Sequence, residues 1–343
     1  MRRLSGVAVS CCLLLLVSAA PAVAAHQNQV DCKRDPGALA PAITAANPGA
    51  MLVIVGTCVG NFVIDKDLTL DGHGGNARLD ARGSGTVLLI LYPGFAPPAV
   101  NLTVGITGLT IAGGDAGIGI GEFTEVTLED LKVAGNAGNG LELGPRSFVT
   151  LHDSNVSDNT GDGITNGGLA VLTVQNSTVS NNAGNGISNF AQGSSLLYDS
   201  TVSGNSGRGI QNLNAASLLD NSTVRDNAGG GIYSDGRSYL FVTRSRIVAN
   251  TAAMGGGIYL DAPPDRASGG VSIEDTTIEN NTAGTSGGGI YNAGGARAVL
   301  LDNVTIKNNT ADTGGGIYHD GGGVLVFTDV LIRNNRPDDC FGC

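Results

Sequence analysis

The residues best placed to bind a ligand are four tyrosines that follow a Gly–Ile pair in the C-terminal half of the chain. Strand alternation turns the isoleucine inward, so each tyrosine is expected to point outward. Stacking on an aromatic ring is worth roughly 1–3 kcal/mol per base, so several rings in a row could hold an extended polymer. The alternative is a tyrosine ladder that only covers its strand. The four residues are Tyr233, Tyr259, Tyr291 and Tyr318.

These tyrosines occur only in repeats that also have longer loops, at 251–256, 260–270, 282–288 and 310–315. A ladder alone gives no reason for rings and loops to appear together, so the coincidence favours a binding surface. In the earlier repeats the same position is polar. Its occupants there are Glu142, Thr165, Ser188 and Gln211.

A second recurring position carries Asp or Asn in most repeats. Turn chemistry, in which such a side chain bonds to its own backbone, is the preferred interpretation. Asp130 and Asp153 stand one repeat apart, so their carboxylates would approach to about 5 Å, and Ca²⁺ could relieve the repulsion. No other cofactor is expected. The column comprises Asp130, Asp153, Asn176, Asp199, Asn221, Arg244, Asp275, Asn303 and Asp329.

All these positions belong to an internal repeat. Gly–(Ile/Leu) pairs recur from Gly117 to Gly316 at spacings of 22 to 32 residues, with 23 the commonest. Such a period indicates one supersecondary unit stacked on its copies, and the short apolar–polar alternations within it indicate strands. A recurring Asn four or more residues before each glycine can hydrogen-bond to its copy in the next repeat. The sequence therefore predicts an all-β fold: a single right-handed parallel β-helix of about a dozen coils, with an N-terminal cap.

Three segments resemble coils of right-handed parallel β-helix proteins of the pectate-lyase-like superfamily, in their secreted bacterial form. They are GAMLVIVGTCVGNFVIDKDLTLDGHG (49–74), ITGLTIAGG (106–114) and NNTADTGGGIY (308–318). The resemblance is specific for the fold and not for an activity, because this scaffold hosts lyases, hydrolases, epimerases and adhesins.

The same resemblance gives a candidate catalytic residue. Lyases of the superfamily abstract a proton with an Arg or Lys, and Arg244 is the only basic residue in the polar column. The preferred alternative is an arginine paired with Asp275 or Asp226 on a solvated face, which contributes little energy.

Four segments are expected along the chain. Residues 1–25 have the basic start, apolar run and small-residue end of a secretory signal peptide. Residues 26–48 form a cap with a short helix over 36–46, residues 49–335 form the β-helix, and residues 336–343 form a disulfide-pinned end. No later segment is long and apolar enough to span a membrane.

Four cysteines remain after removal of the signal peptide, and an even number in an exported chain indicates disulfides. The expected pairs are Cys32–Cys58 and Cys340–Cys343, with metal binding or redox chemistry as alternatives for the terminal C-x-x-C.

The charge of the chain excludes some partners. Without Arg2 and Arg3, 17 basic side chains remain against 30 acidic ones, a net charge of −13. Such a surface repels nucleic acid and anionic membranes, and it disfavours polyanionic glycans unless cations bridge the contact. The leading hypothesis is a secreted, non-catalytic protein that binds a polysaccharide or cell-surface polymer. The alternatives are a polysaccharide lyase or hydrolase of the superfamily and a structural or adhesive solenoid.

Overall fold

The chain winds into a right-handed parallel β-helix in a computed structural model that describes residues 28–74, 76–94, 101–261, 269–293 and 298–343. Each coil contributes one strand in turn to three long parallel sheets, which gives about 13 coils. The predicted fold is therefore confirmed. The predicted signal peptide at 1–25 lies outside the described residues, as does the stretch 262–268 of one predicted loop.

The first sheet has 13 strands, all paired in parallel. Its inward column holds Leu151, Val174 and Leu197, which are fully buried. In chain order the strands are Asn28–Asp31, Ala50–Val55, Leu68–Asp71, Leu102–Thr107, Thr124–Glu129, Phe148–His152, Val171–Gln175, Ser194–Tyr198, Ala216–Asp220, Tyr239–Thr243, Val271–Glu274, Ala298–Asp302 and Val324–Thr328.

The second sheet has 12 strands, most of them only three residues long. One β-branched residue of each central strand, such as Val156, Val179 or Val202, points inward and is fully buried. The strands are Thr57–Val59, Ala77–Asp80, Leu109–Ala112, Lys132–Ala134, Asn155–Ser157, Thr178–Ser180, Thr201–Ser203, Thr223–Arg225, Arg246–Val248, Thr277–Glu279, Thr305–Lys307 and Leu331–Arg333.

The third sheet also has 12 strands, and the isoleucines of the recurring Gly–Ile pairs fill its inward column. The strands are Phe62–Ile64, Thr86–Ile90, Ala116–Ile120, Leu141–Leu143, Ile164–Asn166, Ile187–Phe190, Ile210–Leu213, Ile232–Asp235, Ile258–Asp261, Ile290–Asn292, Ile317–His319 and Cys340–Phe341. The apolar columns read from the sequence thus form one continuous core between the three sheets.

The recurring asparagines form a buried ladder at the bend between the second and third sheets. Each side-chain amide donates to the Oδ1 of the next asparagine at 2.9–3.0 Å, as the sequence predicts. The structure extends the ladder by one member beyond the sequence prediction, because Asn309 donates to Asn335 at 3.0 Å. The ladder consists of Asn136, Asn159, Asn182, Asn205, Asn227, Asn250, Asn281, Asn309 and Asn335.

The polar column, which includes Asp130, Asp153 and Arg244, lies at the bend between the first and second sheets. All nine of its residues have a left-handed backbone, with φ between 46° and 50°. Asn and Asp tolerate this conformation better than other side chains that carry a Cβ. The need for a left-handed residue therefore explains the composition of the column.

A short helix and one disulfide lie at the N-terminal end of the coil, and a second disulfide lies at its C-terminal end. A helix at Leu39–Ala45 lies inside the predicted 36–46 range, and its buried Leu39 and Ile43 cover the N-terminal end of the core. Both predicted disulfides, Cys32–Cys58 and Cys340–Cys343, are present. In the described ranges no helix has the length and hydrophobicity needed to cross a membrane.

Candidate functional site

The four tyrosines stand in register on adjacent strands of the third sheet, and the structure adds a fifth ring. Tyr233, Tyr259, Tyr291, Tyr318 and Phe341 are called the aromatic strip below. Neighbouring ring centroids are 5.3, 5.0, 5.1 and 5.1 Å apart, first edge-to-face and then stacked at the C-terminal end. Sequence reasoning missed Phe341, because the Gly–Ile pair that precedes each of the four tyrosines is absent there.

The exposure of the strip increases along the chain. Tyr233 is buried, with 9% of its surface accessible, so the expectation of an open ring at this position is wrong. Tyr259, Tyr291 and Tyr318 are half-buried, and Phe341 is 47% exposed. Ring surface available to a ligand is therefore concentrated in the last four members.

Tyr233 is buried because it is held from two sides. Its hydroxyl donates to Asp261 Oδ2 at 2.8 Å, and the guanidinium carbon of Arg208 lies 4.0 Å from its ring centroid. Burial, together with the hydrogen bond to Asp261, raises the pKa of Tyr233 far above its ordinary value. The phenol therefore stays protonated near neutral pH, which makes it a poor general base.

The longer loops build a wall beside the strip. Thr251–Met254 and Thr282–Ser286 pair as a small parallel side sheet, and bridges from Thr282 to Thr310 and from Ser286 to Thr313 continue it into the next coil. Three of the predicted loops, 251–256, 282–288 and 310–315, thus contain residues that pair from coil to coil.

Glycines in the wall allow it to pack directly against the tyrosines. Gly255, Gly287 and Gly314 have φ of 58°, 67° and 61°, and a Cβ on any of them would lie only 2.6–2.8 Å from the Cβ of the tyrosine four residues on. The wall therefore packs against the backbone and the Cβ of each of these tyrosines.

A cavity opens where the wall meets the N-terminal end of the strip. Its volume is about 210 Å³, and it is lined by Arg208, Gly230, Tyr233, Met254, Tyr259 and neighbouring small residues. The Nη1 of Arg208 donates to Gln211 Oε1 at 2.8 Å. The cavity thus combines two aromatic rings with one cation, and Tyr259 belongs to both the cavity and the strip.

Asp130 and Asp153 line a shallow polar groove on another side of the coil, together with Lys132. His152 Nδ1 lies 3.0 Å from Asp153 Oδ2. Across the described ranges, no group of three or more His, Cys, Asp or Glu residues is arranged to hold a metal ion. The Ca²⁺ hypothesis for this pair therefore gains no additional ligands from the structure.

Arg244 forms an ion pair with Asp220 of the preceding coil. The sequence interpretation that Arg244 is a paired arginine is thus supported, but the partners it named are wrong. Asp226 pairs with Arg225 at 2.6 Å, and Asp275 accepts a hydrogen bond from Asn303 at 2.6 Å. Strand register brings Asp220 beside Arg244, because it places Asp220 opposite Thr243.

Comparisons with known proteins agree with this architecture. A family model described as "Right handed beta helix region" matches residues 101–198 and 166–337. No curated protein matches the sequence at a significant level.

Solved structures share the coil at low sequence identity. The A-module of the mannuronan C-5 epimerase AlgE6 of Azotobacter vinelandii aligns with a TM-score of 0.54 and 15% identity over 91% of this chain and 97% of its own. The catalytic unit of a GH87 α-1,3-glucanase from Streptomyces thermodiastaticus aligns with a TM-score of 0.53 and 17% identity over 91% and 69%. The family match covers most of the chain, and the chain therefore belongs to the right-handed parallel β-helix family, on the pectate-lyase-like fold that polysaccharide lyases, hydrolases and epimerases share.

Proposed function

We propose that this protein is an exported β-helix protein that binds an extended glycan along the aromatic strip without transforming it. The observation that carries the proposal is the unbroken register of Tyr259, Tyr291, Tyr318 and Phe341, four partly exposed rings about 5 Å apart along one line. Export is supported by the sequence of residues 1–25 and by two disulfides, which persist in oxidising compartments.

A glycan suits this strip because sugar rings combine apolar faces with hydroxyl edges. The exposed parts of the aromatic rings offer apolar contact area to the sugars, and tyrosine hydroxyls can bond to the sugar hydroxyls. The side-sheet wall runs along the same line and would flank a linear ligand. A binding role rather than catalysis is supported by Arg244, whose guanidinium is engaged by Asp220.

The test removes rings from the strip without removing bulk. Tyr291→Leu/Tyr318→Leu is compared with the wild type on an array of neutral and acidic glycans. The matched control is Tyr239→Leu/Phe241→Leu, which removes a stacked aromatic pair that is 47% and 44% exposed on the first sheet. Loss of ligand contact with two rings should weaken binding by at least about tenfold. The control should bind as the wild type does.

Folding is monitored by thermal melting, and Tyr291→Phe/Tyr318→Phe, which keeps both rings, should retain binding. If the leucine variant binds like the wild type, or if no glycan binds the wild type, the proposal fails. Ultraviolet absorbance from unsaturated products of alginate or pectate, with and without Ca²⁺, would instead support the lyase alternative. If the protein neither binds nor converts a glycan, a structural or adhesive role for the solenoid would be the remaining hypothesis.

A further inference from the structure

The cavity beside Tyr233 contains a guanidinium that lacks an acidic partner. In the described part of the chain no carboxylate lies within ion-pair distance of Arg208. The nearby Asp261 accepts the hydroxyl of Tyr233 and does not line the cavity. Arg208 is therefore held by Gln211 and by the face of Tyr233, while its remaining N–H groups have no acceptor among the described residues.

In the described part of the chain, the positive charge of Arg208 is therefore not balanced by a carboxylate in an ion pair. Burial lowers the pKa of Arg208, and at neutral pH the charge of Asp261 counteracts this only partly. A guanidinium remains charged at neutral pH, and the face of Tyr233 and one hydrogen bond offset only part of the cost of desolvating it. An anion entering the cavity would supply a compensating charge and further hydrogen-bond acceptors.

A second donor lines the same cavity. Gly230 is buried, has φ of 104°, and its backbone N–H has no acceptor among the described residues. Buried backbone N–H groups are rarely left unpaired. One water molecule needs roughly 10–15 Å³ of cavity volume. The 210 Å³ present here admits a larger group.

We infer that this cavity binds one oxyanion group, a carboxylate, sulfate or phosphate, carried by the end unit of the glycan on the aromatic strip. The inference rests on the proposed glycan binding for its source of the anion. Tyr259 lines the cavity and is part of the strip, so a chain lying on the rings leads into it.

The net charge of the protein further restricts the class of glycan that it can bind. One cation serves the cavity, whereas the chain as a whole has a formal net charge of −11. A polyanion would be repelled along most of its length, but screening over about 8 Å at physiological salt leaves a single buried contact effective. The ligand class is therefore a largely neutral glycan with an isolated anionic substituent.

Inorganic sulfate is the first probe, titrated into the full chain at constant ionic strength against potassium chloride. The protein has no tryptophan, so the readout is the fluorescence of its seven tyrosines, which include the ring beside Arg208. We expect a saturable change in the wild type and a loss of sulfate affinity of about tenfold to a hundredfold in Arg208→Gln. The matched control is Arg146→Gln, because the exposed Arg146 lies 5.7 Å from the Phe123 ring and outside the cavity.

A second variant keeps Arg208 in place. Ala253→Glu puts a carboxylate on the exposed wall beside the cavity, and it should abolish sulfate binding while leaving the fold intact. Wild-type sulfate affinity in either variant, or no saturable change in the wild type, would overturn the inference.

A glycan-binding experiment distinguishes this inference from the proposed function. A neutral oligosaccharide and the same oligosaccharide with one terminal sulfate are compared on the wild type and on Arg208→Gln. Preference for the sulfated form that disappears in Arg208→Gln supports the inference. Equal binding of both forms refutes it while the proposed function stands. Sulfate binding without any glycan binding would establish a site for free small anions and refute glycan binding along the strip.

Discussion

The side-chain oxygen of Asn205 accepts two hydrogen bonds from Asn182, one from its backbone N–H and one from its Nδ2, both at 3.0 Å. Every link of the buried ladder repeats this pairing, so one oxygen satisfies two donors of the neighbouring coil. The ladder therefore fixes the bend between the second and third sheets, and through it the line of the aromatic strip.

Replacing Asn205 with alanine should destabilise the fold strongly. The change leaves two buried donors of Asn182 without an acceptor, at roughly 1–3 kcal/mol for each unpaired group. Urea denaturation measures the loss. The control is Asn155→Ala, whose side chain is exposed on the second sheet and which should cost less than about 0.5 kcal/mol. Similar costs for the two variants would mean that the ladder contributes little.

Gly255→Ala should cost more than a left-handed backbone alone explains. An alanine at such a φ costs about 1–2 kcal/mol, and its Cβ would also lie 2.6 Å from Tyr259 Cβ. Gly135→Ala isolates the backbone contribution, because Gly135 has φ of 70° with nothing within 4 Å of an added Cβ. We expect Gly255→Ala to exceed this control by about 1–3 kcal/mol in urea denaturation. Equal losses of stability in Gly255→Ala and Gly135→Ala would contradict the close packing of the wall against Tyr259.

Glu279 should make stability depend on pH. Burial raises the pKa of its carboxyl, but hydrogen bonds from Arg246 and Lys307 outweigh burial and hold the pKa below its ordinary value. A depressed carboxyl pKa contributes stability above the unfolded-state pKa of about 4.3, and that contribution is lost as pH falls through the folded-state pKa.

Glu279→Gln should therefore lower the free energy of unfolding by roughly 1–3 kcal/mol at pH 7 and by much less at pH 3. Urea denaturation at both pH values checks this. Glu125→Gln, at an exposed glutamate on the first sheet, should change stability by less than about 0.5 kcal/mol at either pH. An effect of Glu279→Gln that is the same at both pH values would refute the assigned ion pairs.

The repeat by itself determined the coil. A period near 23 places like residues one strand spacing apart, so the sequence alone identified the inward isoleucines of the Gly–Ile pairs and the asparagine ladder. It also identified both cysteine pairs and aligned Tyr233, Tyr259, Tyr291 and Tyr318. Apart from the cysteine pairs, which were predicted from an even cysteine count, these features follow from local periodicity, which stacking preserves from coil to coil.

Only the tertiary structure decided which faces of these side chains remain open. Arg208 reaches the ring of Tyr233 from the preceding coil, and Asp261 binds its hydroxyl from the following coil. The pairing of Arg244 with Asp220 and the addition of Phe341 to the strip likewise depend on register between strands. A repeat specifies which positions stack, but side chains of unequal length and loops outside the period settle their contacts only when neighbouring coils pack together.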